Sequence, residues 1–309
     1  MSAHGSCASG PRRDIAGEPT PAELVRFAAL AANGHNTQPW RFRVGDGRID
    51  VLPDFSRRTP VVDPDDHHLF ASLGCAAENL AIAAARHHGS AGILEEPDAG
   101  AAVAVTFPGE RAAEPDLYAA IPARQSTRST YDGRAVSPAD LALLERASRV
   151  EGVDVRLFTD RADLERIAAF VVRANTVQLA DPRFLGELAA WARFDARDAA
   201  RKGDGLPSAA LGAPALPRWL GRRLFPLVVR PGPENRKYVA QIRSSAGIAV
   251  FVAARADAAH WIRVGRSFER FALEATALGI RHAHLNQPVE VPEVRGDFAR
   301  WLGEPDRRP

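Results

Sequence analysis

One pattern in the chain occurs twice. Gly74-x3-Glu78-x2-Ala81-x2-Ala84 recurs at a constant offset as Gly265-x3-Glu269-x2-Ala272-x2-Ala275. Leu80 and Ile82 have apolar counterparts in Phe271 and Leu273, and Gly89 and Gly279 follow the two stretches at nearly the same distance. Two readings are open. The stretches are two similar Ala-rich amphipathic helices, or they are the central helices of two fused α/β halves packed as a pseudo-dimer. The second reading predicts an α+β fold in which each half has a central helix and a β-sheet.

The remaining pattern divides the chain into segments. Residues 1–18 are small and polar and read as a disordered leader. Thr20-Pro21-Ala22-Glu23 is a capping-box signature, so a helix starts there and stops at Asn33-Gly34. Arg41–Val44 and Arg48–Pro53 form a hairpin turned at Gly45-Asp46-Gly47. Asp63 is the expected N-cap of the first repeat helix, which runs to about His88. Ala101–Phe107 reads as a strand and Asp116–Ile121 as a short helix. After Ser137 the expected elements are a helix to about Ser148, a strand at Val153–Phe158, and helices near 161–180 and 182–200. A strand at Ser245–Ala254, the second repeat helix at Asp257–Leu278 and a helix at Glu293–Leu302 complete the chain. Residues 203–235 are rich in Gly and Pro around a basic-apolar island, Trp219–Arg230, and read as a long, partly helical excursion of the kind that forms lids. A helix lying on a membrane surface is the alternative for that island.

Composition removes several classes of function. The chain has 309 residues, with 40 basic against 38 acidic, so no cationic excess points to nucleic acid. It has two cysteines, Cys7 and Cys75, and no CxxC, which fits a reducing cytoplasm. No stretch reads as a membrane span. There is neither a GxGxxG nor a GxxxxGK[ST] motif.

Two polar stretches carry the candidate chemistry. In Asn33-Gly34-His35-Asn36-Thr37-Gln38-Pro39-Trp40, the carboxamides of Asn36 and Gln38 each offer a donor and an acceptor. Such groups match the polar edge of an isoalloxazine ring, and Gly34 lets backbone approach closely. The alternative is a turn with a core tryptophan. In Arg124-Gln125-Ser126-Thr127-Arg128, two guanidinium groups and two hydroxyls within five residues suit a phosphate. The alternative there is a solvated surface loop.

Together these stretches resemble the FMN-dependent nitroreductase superfamily. Asn36-Thr37-Gln38-Pro39-Trp40 is similar to its N-x-Q-P-W segment, and Arg124-x-Ser126-x-Arg128 to its R-x-S-x-R/K phosphate motif. The order of motifs is similar to the Acg branch: His35–Trp40, then Asp63-Pro64-Asp65, then the Arg124 motif, then Leu285-Asn286-Gln287-Pro288-Val289-Glu290-Val291-Pro292. The resemblance spans about residues 20–303 and implies a nitroreductase-like fold, a fused pseudo-dimer with one FMN per chain. It implies a first half at 19–122, a second half at 123–309, and a lid at 203–235. It places Arg124, Gln125, Ser126 and Arg128 at the FMN phosphate and ribityl end. Asn33, Gly34, Asn36 and Gln38 fall at the ring, and Asn286 and Gln287 near flavin N5. The implied activity is ping-pong: NAD(P)H reduces the flavin, which then reduces a nitroaromatic or quinone-like small molecule. The alternatives are an FMN store without turnover and a flavin-dependent dehydrogenase of a biosynthetic pathway. The implied partners exclude nucleic acid and membrane, and the implied assembly is a monomer acting as a pseudo-dimer, or a homodimer. No acid–base side chain is nominated.

The chain departs from the superfamily at its end. The resemblance implies a further strand carrying Arg-x-Gly, where this chain reads Arg307-Arg308-Pro309. One lost phosphate contact costs about 2 kcal/mol, unless Arg307 and Arg308 substitute in part. The pairs His67-His68 and His87-His88 read as exposed, His282-x-His284 as structural, and Cys75 as a small core residue.

Overall fold

The computed structural model describes residues 19–96, 102–208 and 215–309. The expected leader at 1–18, with Cys7, and positions 209–214 of the excursion lie outside the described residues. The chain begins with α1 (Pro21–Ala28), β1 (Trp40–Gly45), β2 (Arg48–Pro53), α2 (His67–His88), β3 (Ser90–Glu96), β4 (Ala102–Ala112) and α3 (Pro115–Ala120). It continues with α4 (Pro138–Ala147), β5 (Val153–Phe158), α5 (Arg161–Ala180), α6 (Pro182–Trp191), β6 (Ala192–Arg193), α7 (Ala196–Lys202) and β7 (Leu206–Pro207). The last elements are α8 (Arg218–Val228), α9 (Pro231–Ser244), β8 (Ile248–Ala253), α10 (Ala258–Ala277), α11 (Gln287–Glu290) and α12 (Pro292–Trp301). The fold is mixed α and β, in line with the α+β expectation.

Local chemistry explains where the elements start. The Thr20 N–H donates to Glu23 Oε2 at 2.8 Å and the Glu23 N–H donates to Thr20 Oγ1 at 3.4 Å, which closes the capping box of α1. β1 and β2 form the expected hairpin, with Gly45 opposite Arg48 and Gly47 at φ 61° in the turn. They continue into an antiparallel sheet of order β1-β2-β4-β3. α2 packs against this sheet, against α1 and against α10. It is therefore apolar on most faces, and it is long and apolar enough to cross a membrane although 89% of that stretch is buried inside the protein.

The two repeat helices cross each other through their glycines. A Cβ added at Gly74 would lie 2.0 Å from the Ile262 carbonyl oxygen, and one added at Gly265 would lie 1.8 Å from the Ala71 carbonyl oxygen. Ala71 and Ile262 are themselves equivalent positions of the repeat, so the contact is reciprocal. Both repeat glutamates, Glu78 and Glu269, are 0% exposed at this junction. Arg111 reaches Glu78 Oε1 at 2.7 Å, Arg270 at 3.0 Å, and Arg266 reaches Oε2 at 3.3 Å. Burial alone would raise the Glu78 carboxyl, but the three guanidinium groups outweigh it and hold it at about 2.

Several elements differ from the sequence reading. β3 was not expected, because Ser90-Ala91-Gly92 has little strand propensity; pairing with β4 holds it, with an irregularity between Ala91 and Gly92. The single helix expected over 182–200 is broken. The Ala192-Arg193 segment bridges Leu206-Pro207 in parallel, and the buried Arg193 guanidinium holds Asp204 at 2.7 Å. Asp195 then caps α7 through the Arg197 N–H at 2.7 Å. The excursion contains α8 and runs into α9. Phe225 of α8 meets the Phe194 ring at 5.7 Å, while Trp219 is 71% exposed. In the second part of the chain the β5–β8 ladder has two strands among the described residues, with a bridge from Ala253 to Arg308 on the other edge of β8. The N-cap of α2 is Asp66, in the left-handed region, and Asp63 instead accepts the Leu69 N–H at 3.1 Å.

Two outcomes follow from the crossing. Gly74→Ala and Gly265→Ala each destabilise by about 3 kcal/mol, because backbone rather than a movable side chain blocks the added methyl. Gly186→Ala, at an open position inside α6, is neutral or stabilising by up to about 1 kcal/mol; urea unfolding distinguishes them. Glu78 has a folded-state pKa below its ordinary value of 4.5, so its contribution is full above pH 4.5 and fades as pH falls towards about 2. Glu78→Gln therefore destabilises by about 3 kcal/mol at neutral pH, and the difference from the parent chain shrinks in acid.

Candidate functional site

The stretch after α1 is held in an unusual backbone. His35, Asn36 and Gln38 have φ of 48°, 52° and 55°, and Asp66 has 62°. These are all of the non-glycine residues with positive φ among the described residues. Such conformations cost on the order of 1–3 kcal/mol each and cluster where a site demands them. Gln38 also precedes Pro39, where the extended region is normal.

Side-chain amides keep this loop in shape. The Gln38 N–H donates to Asn33 Oδ1 at 2.9 Å, and Asn33 Nδ2 donates to the Ala31 carbonyl at 3.1 Å. Gln38 Nε2 donates to Asn36 Oδ1 at 3.0 Å, and Asn36 Nδ2 donates to the Gly205 carbonyl at 3.0 Å. The Gly205 N–H returns a bond to the Asn36 carbonyl at 2.8 Å. Arg57 completes the clasp, donating from Nε to the Thr37 carbonyl and from its terminal nitrogen to Asp204. The carboxamides expected to face a ring thus brace the loop and tie it to the excursion. Asn36 and Gln38 do not line the cavity, whereas Asn33, Gly34 and His35 do.

That cavity has a volume of about 1010 Å³. Its size is at the upper end of the roughly 300–1000 Å³ usual for cofactor and ligand sites. Four distant segments meet around it: Asn33–His35, Thr127–Arg128, His67–His68 and His282–Glu290. The Thr127 N–H donates to the His282 carbonyl at 2.8 Å, within a parallel bridge between Ser126 and His282. This bridge brings the two wall segments together. Leu206, Phe225 and Val229 of the excursion lie on the same cavity.

Within the arginine-rich segment, roles divide. Arg124 is nearly buried, with Nε 3.2 Å from Glu269 Oε1, and it donates to the Leu30 carbonyl at 2.9 Å. Glu269 Oε2 accepts the Ala32 N–H at 3.3 Å. One carboxylate of the repeat therefore holds both the Arg124 segment and the residue just before Asn33. Burial raises Glu269 above its ordinary value, more than Arg124 lowers it. Arg124, Gln125 and Ser126 do not line the cavity; Arg128 does, and its guanidinium makes no hydrogen bond or ion pair among the described residues. Gln241 Nε2 donates to the Arg128 carbonyl at 3.0 Å and fixes its backbone.

The cavity lining holds buried polar atoms without partners among the described residues: His35 Nδ1, both ring nitrogens of His282, and Gln287 Oε1. Asn286 and Gln287 line the cavity. Burial pushes His282 down to about 4 and His284 to about 3, so both rings are neutral. The ring of Phe268 lies 4.3 Å from that of His284. Glu290 is ion-paired to His68 at 3.3 Å and accepts Gln178 Nε2 at 2.6 Å. The His67-His68 pair is not exposed: His67 is 4% accessible and the His68 side chain 15%. Paired glutamate and histidines could not be read as a site from spacing, since Gln178, His68 and Glu290 are far apart in sequence. Cys75 is buried against α10, its thiol donating to the Gly265 carbonyl at 3.2 Å, and burial pushes its pKa well up.

Arg307 and Arg308 do not line the cavity and are engaged in ion pairs. Arg307 pairs with Asp154 and Glu304, and Arg308 pairs with Asp65. The Ala253 N–H donates to the Arg308 carbonyl at 2.8 Å, so the last residues add a bridge beside β8.

No family model matches the chain. It is 28% identical over 285 residues to the Mycobacterium tuberculosis H37Rv protein named "Putative NAD(P)H nitroreductase Rv3131", covering 89% of this chain and 79% of that protein. The counterpart from strain CDC 1551 gives the same figures. An uncharacterized protein of strain CDC 1551 is 28% identical over 181 residues, 55% of this chain and 25% of its own length.

Because Arg124 neutralises a buried carboxylate, Arg124→Ala lowers unfolding stability by about 3–5 kcal/mol, leaving Glu269 unpaired. Arg128→Ala leaves stability within about 0.5 kcal/mol of the parent chain. Denaturant midpoints at neutral pH test the contrast.

Proposed function

We propose that this chain is an FMN-dependent, NAD(P)H-consuming oxidoreductase of the nitroreductase kind, built as two fused α/β halves with one cofactor site. The observation that carries the reading is the convergence of the Asn33–His35, Thr127–Arg128 and His282–Gln287 segments on one large cavity. Similarity to proteins named as nitroreductases over most of the chain supports it. So does the reciprocal crossing of the repeat helices.

The donor set suits the cofactor. The cavity is roomy, walled partly by rings, and edged by buried polar atoms that lack partners. When bound, FMN supplies the redox chemistry, taking a hydride from the nicotinamide and passing electrons to a nitroaromatic or quinone-like acceptor. The protein's part is to hold and orient it. Arg128 is a cavity-wall cation with no carboxylate partner among the described residues, and the Thr127 hydroxyl lies beside it in the chain, so these two would take the phosphate. Asn33, Gly34 and Gln287 would meet the polar edges of the ring system. Arg124 acts through Glu269 as a positioning residue.

A second reading, storage of FMN without turnover, is favoured by one observation. The clasp from Asn36 to Gly205 and from Arg57 to Asp204 fastens the excursion over the loop. Rapid bleaching of the bound flavin by NADPH or NADH excludes storage.

The purified protein is expected to be yellow, releasing about one FMN per chain on denaturation. A colourless chain that takes up no added FMN overturns the proposal. Arg128→Ala weakens FMN binding by about tenfold to a hundredfold, while Arg183→Ala, at an exposed position on α6, leaves it unchanged; fluorescence titration of the flavin measures both.

A further inference from the structure

We propose that Asp63, His67 and His68 form a binding site for one divalent transition-metal ion, with an open coordination position facing the cavity. The inference does not rest on the flavin reading. One ligand atom from each of the three residues lies within 4.8 Å of the others. Donors about 2.1 Å from a shared ion sit roughly 3–4 Å apart, so side-chain shifts under about 1 Å complete the set.

Three features point to a ligand rather than to packing. First, His67 is 4% exposed, yet neither of its ring nitrogens has a hydrogen-bond partner among the described residues. A buried neutral imidazole in that state is costly, and a metal ion would take its lone pair. The ring is held side-on by Trp261, with centroids 5.4 Å apart and planes at 82°. Second, Asp63 is 3% exposed and forms no ion pair with Arg or Lys among the described residues. It accepts the Leu69 N–H at 3.1 Å through Oδ2, which leaves acceptor capacity on the carboxylate. The nearby cations are occupied: Arg308 pairs with Asp65, and Arg295 donates to the Val289 carbonyl at 3.2 Å. Third, His68 Nε2 lies 3.3 Å from Glu290 Oε1, and Glu290 accepts Gln178 Nε2 at 2.6 Å. In a carboxylate–histidine–metal arrangement the outer carboxylate orients the ring, so with Glu290 at Nε2 the ion would take His68 Nδ1.

The ligand chemistry selects the metal class. Two imidazoles and one carboxylate suit zinc or iron(II) and disfavour magnesium and calcium, which prefer all-oxygen shells. When both rings bind it in their neutral form, an ion of charge +2 balances the carboxylates of Asp63, which is buried, and of Glu290, which is mostly buried. Three protein donors leave a place for a water or for an oxygen atom of a bound small molecule. His67 and His68 line the cavity, so that position opens towards it.

The test is equilibrium dialysis of the chelator-treated full chain against zinc, with bound metal measured by atomic absorption, followed by cobalt(II) substitution. One zinc per chain is expected, with a visible ligand-field spectrum for the cobalt form. His67→Ala and Asp63→Asn each weaken zinc binding by about a hundredfold, and Glu290→Gln by about tenfold. Asp63→Asn keeps an oxygen for the Leu69 N–H, so it tests the ligand without removing that contact; circular dichroism confirms folding. His87→Ala, on the far end of α2, binds zinc like the parent chain. The proposal is overturned if the parent chain holds no stoichiometric zinc, or if folded Asp63→Asn protein holds it as tightly as the parent.

Discussion

The structure depends on one close approach, where α2 and α10 cross with backbone against backbone at Gly74 and Gly265. No side chain separates the helices there, so each repeat glutamate is sealed from water a turn further on. A buried carboxylate must find partners. The two glutamates solve that problem differently. Glu78 gathers arginines from β4 and α10, whereas Glu269 gathers Arg124 and the backbone just ahead of Asn33. Equivalent positions thus supply different chemistry: Arg266 and Arg270 near Glu78 correspond to Cys75 and Asn79 near Glu269. One side of the crossing became scaffold, and the other became the anchor for the cavity wall.

This division explains why the polar loop looks as it does. Its carboxamides hold a left-handed backbone in place and fasten it to the excursion, while Asn33, Gly34 and His35 remain on the cavity. The Arg124 segment follows the same logic. Its first arginine is consumed by the core, and its last is left on the wall. A motif of five residues therefore contains both a support and a contact, side by side.

Much of this was legible in the sequence. The repeat was visible as spacing, and its glycines, glutamates and alanines sit at the crossing. The capping box placed the start of α1 at Thr20, whereas the cap expected at Asp63 lies three residues before the observed one, Asp66. What was not legible depended on tertiary pairing. Ser90–Glu96 is a strand because β4 is there to pair with it. The helix expected over 182–200 breaks because Asp204 draws Arg193 inward. His67 and His68 read as surface histidines because polar residues at a helix start usually face water. Here α2 begins in the interior, against Trp261 and Glu290. Spacing also could not separate Arg124 from Arg128, since only burial distinguishes a guanidinium that closes an ion pair from one that stays open.

The clasp between Asn36 and Gly205 has a kinetic side. Two backbone-to-loop hydrogen bonds and the Arg57–Asp204 ion pair must be broken together before the excursion can swing away from the loop. Bonds present in the closed form and broken on opening slow the opening and favour the closed form together. A chain altered at Arg57 would hold the same ligand with a shorter residence time.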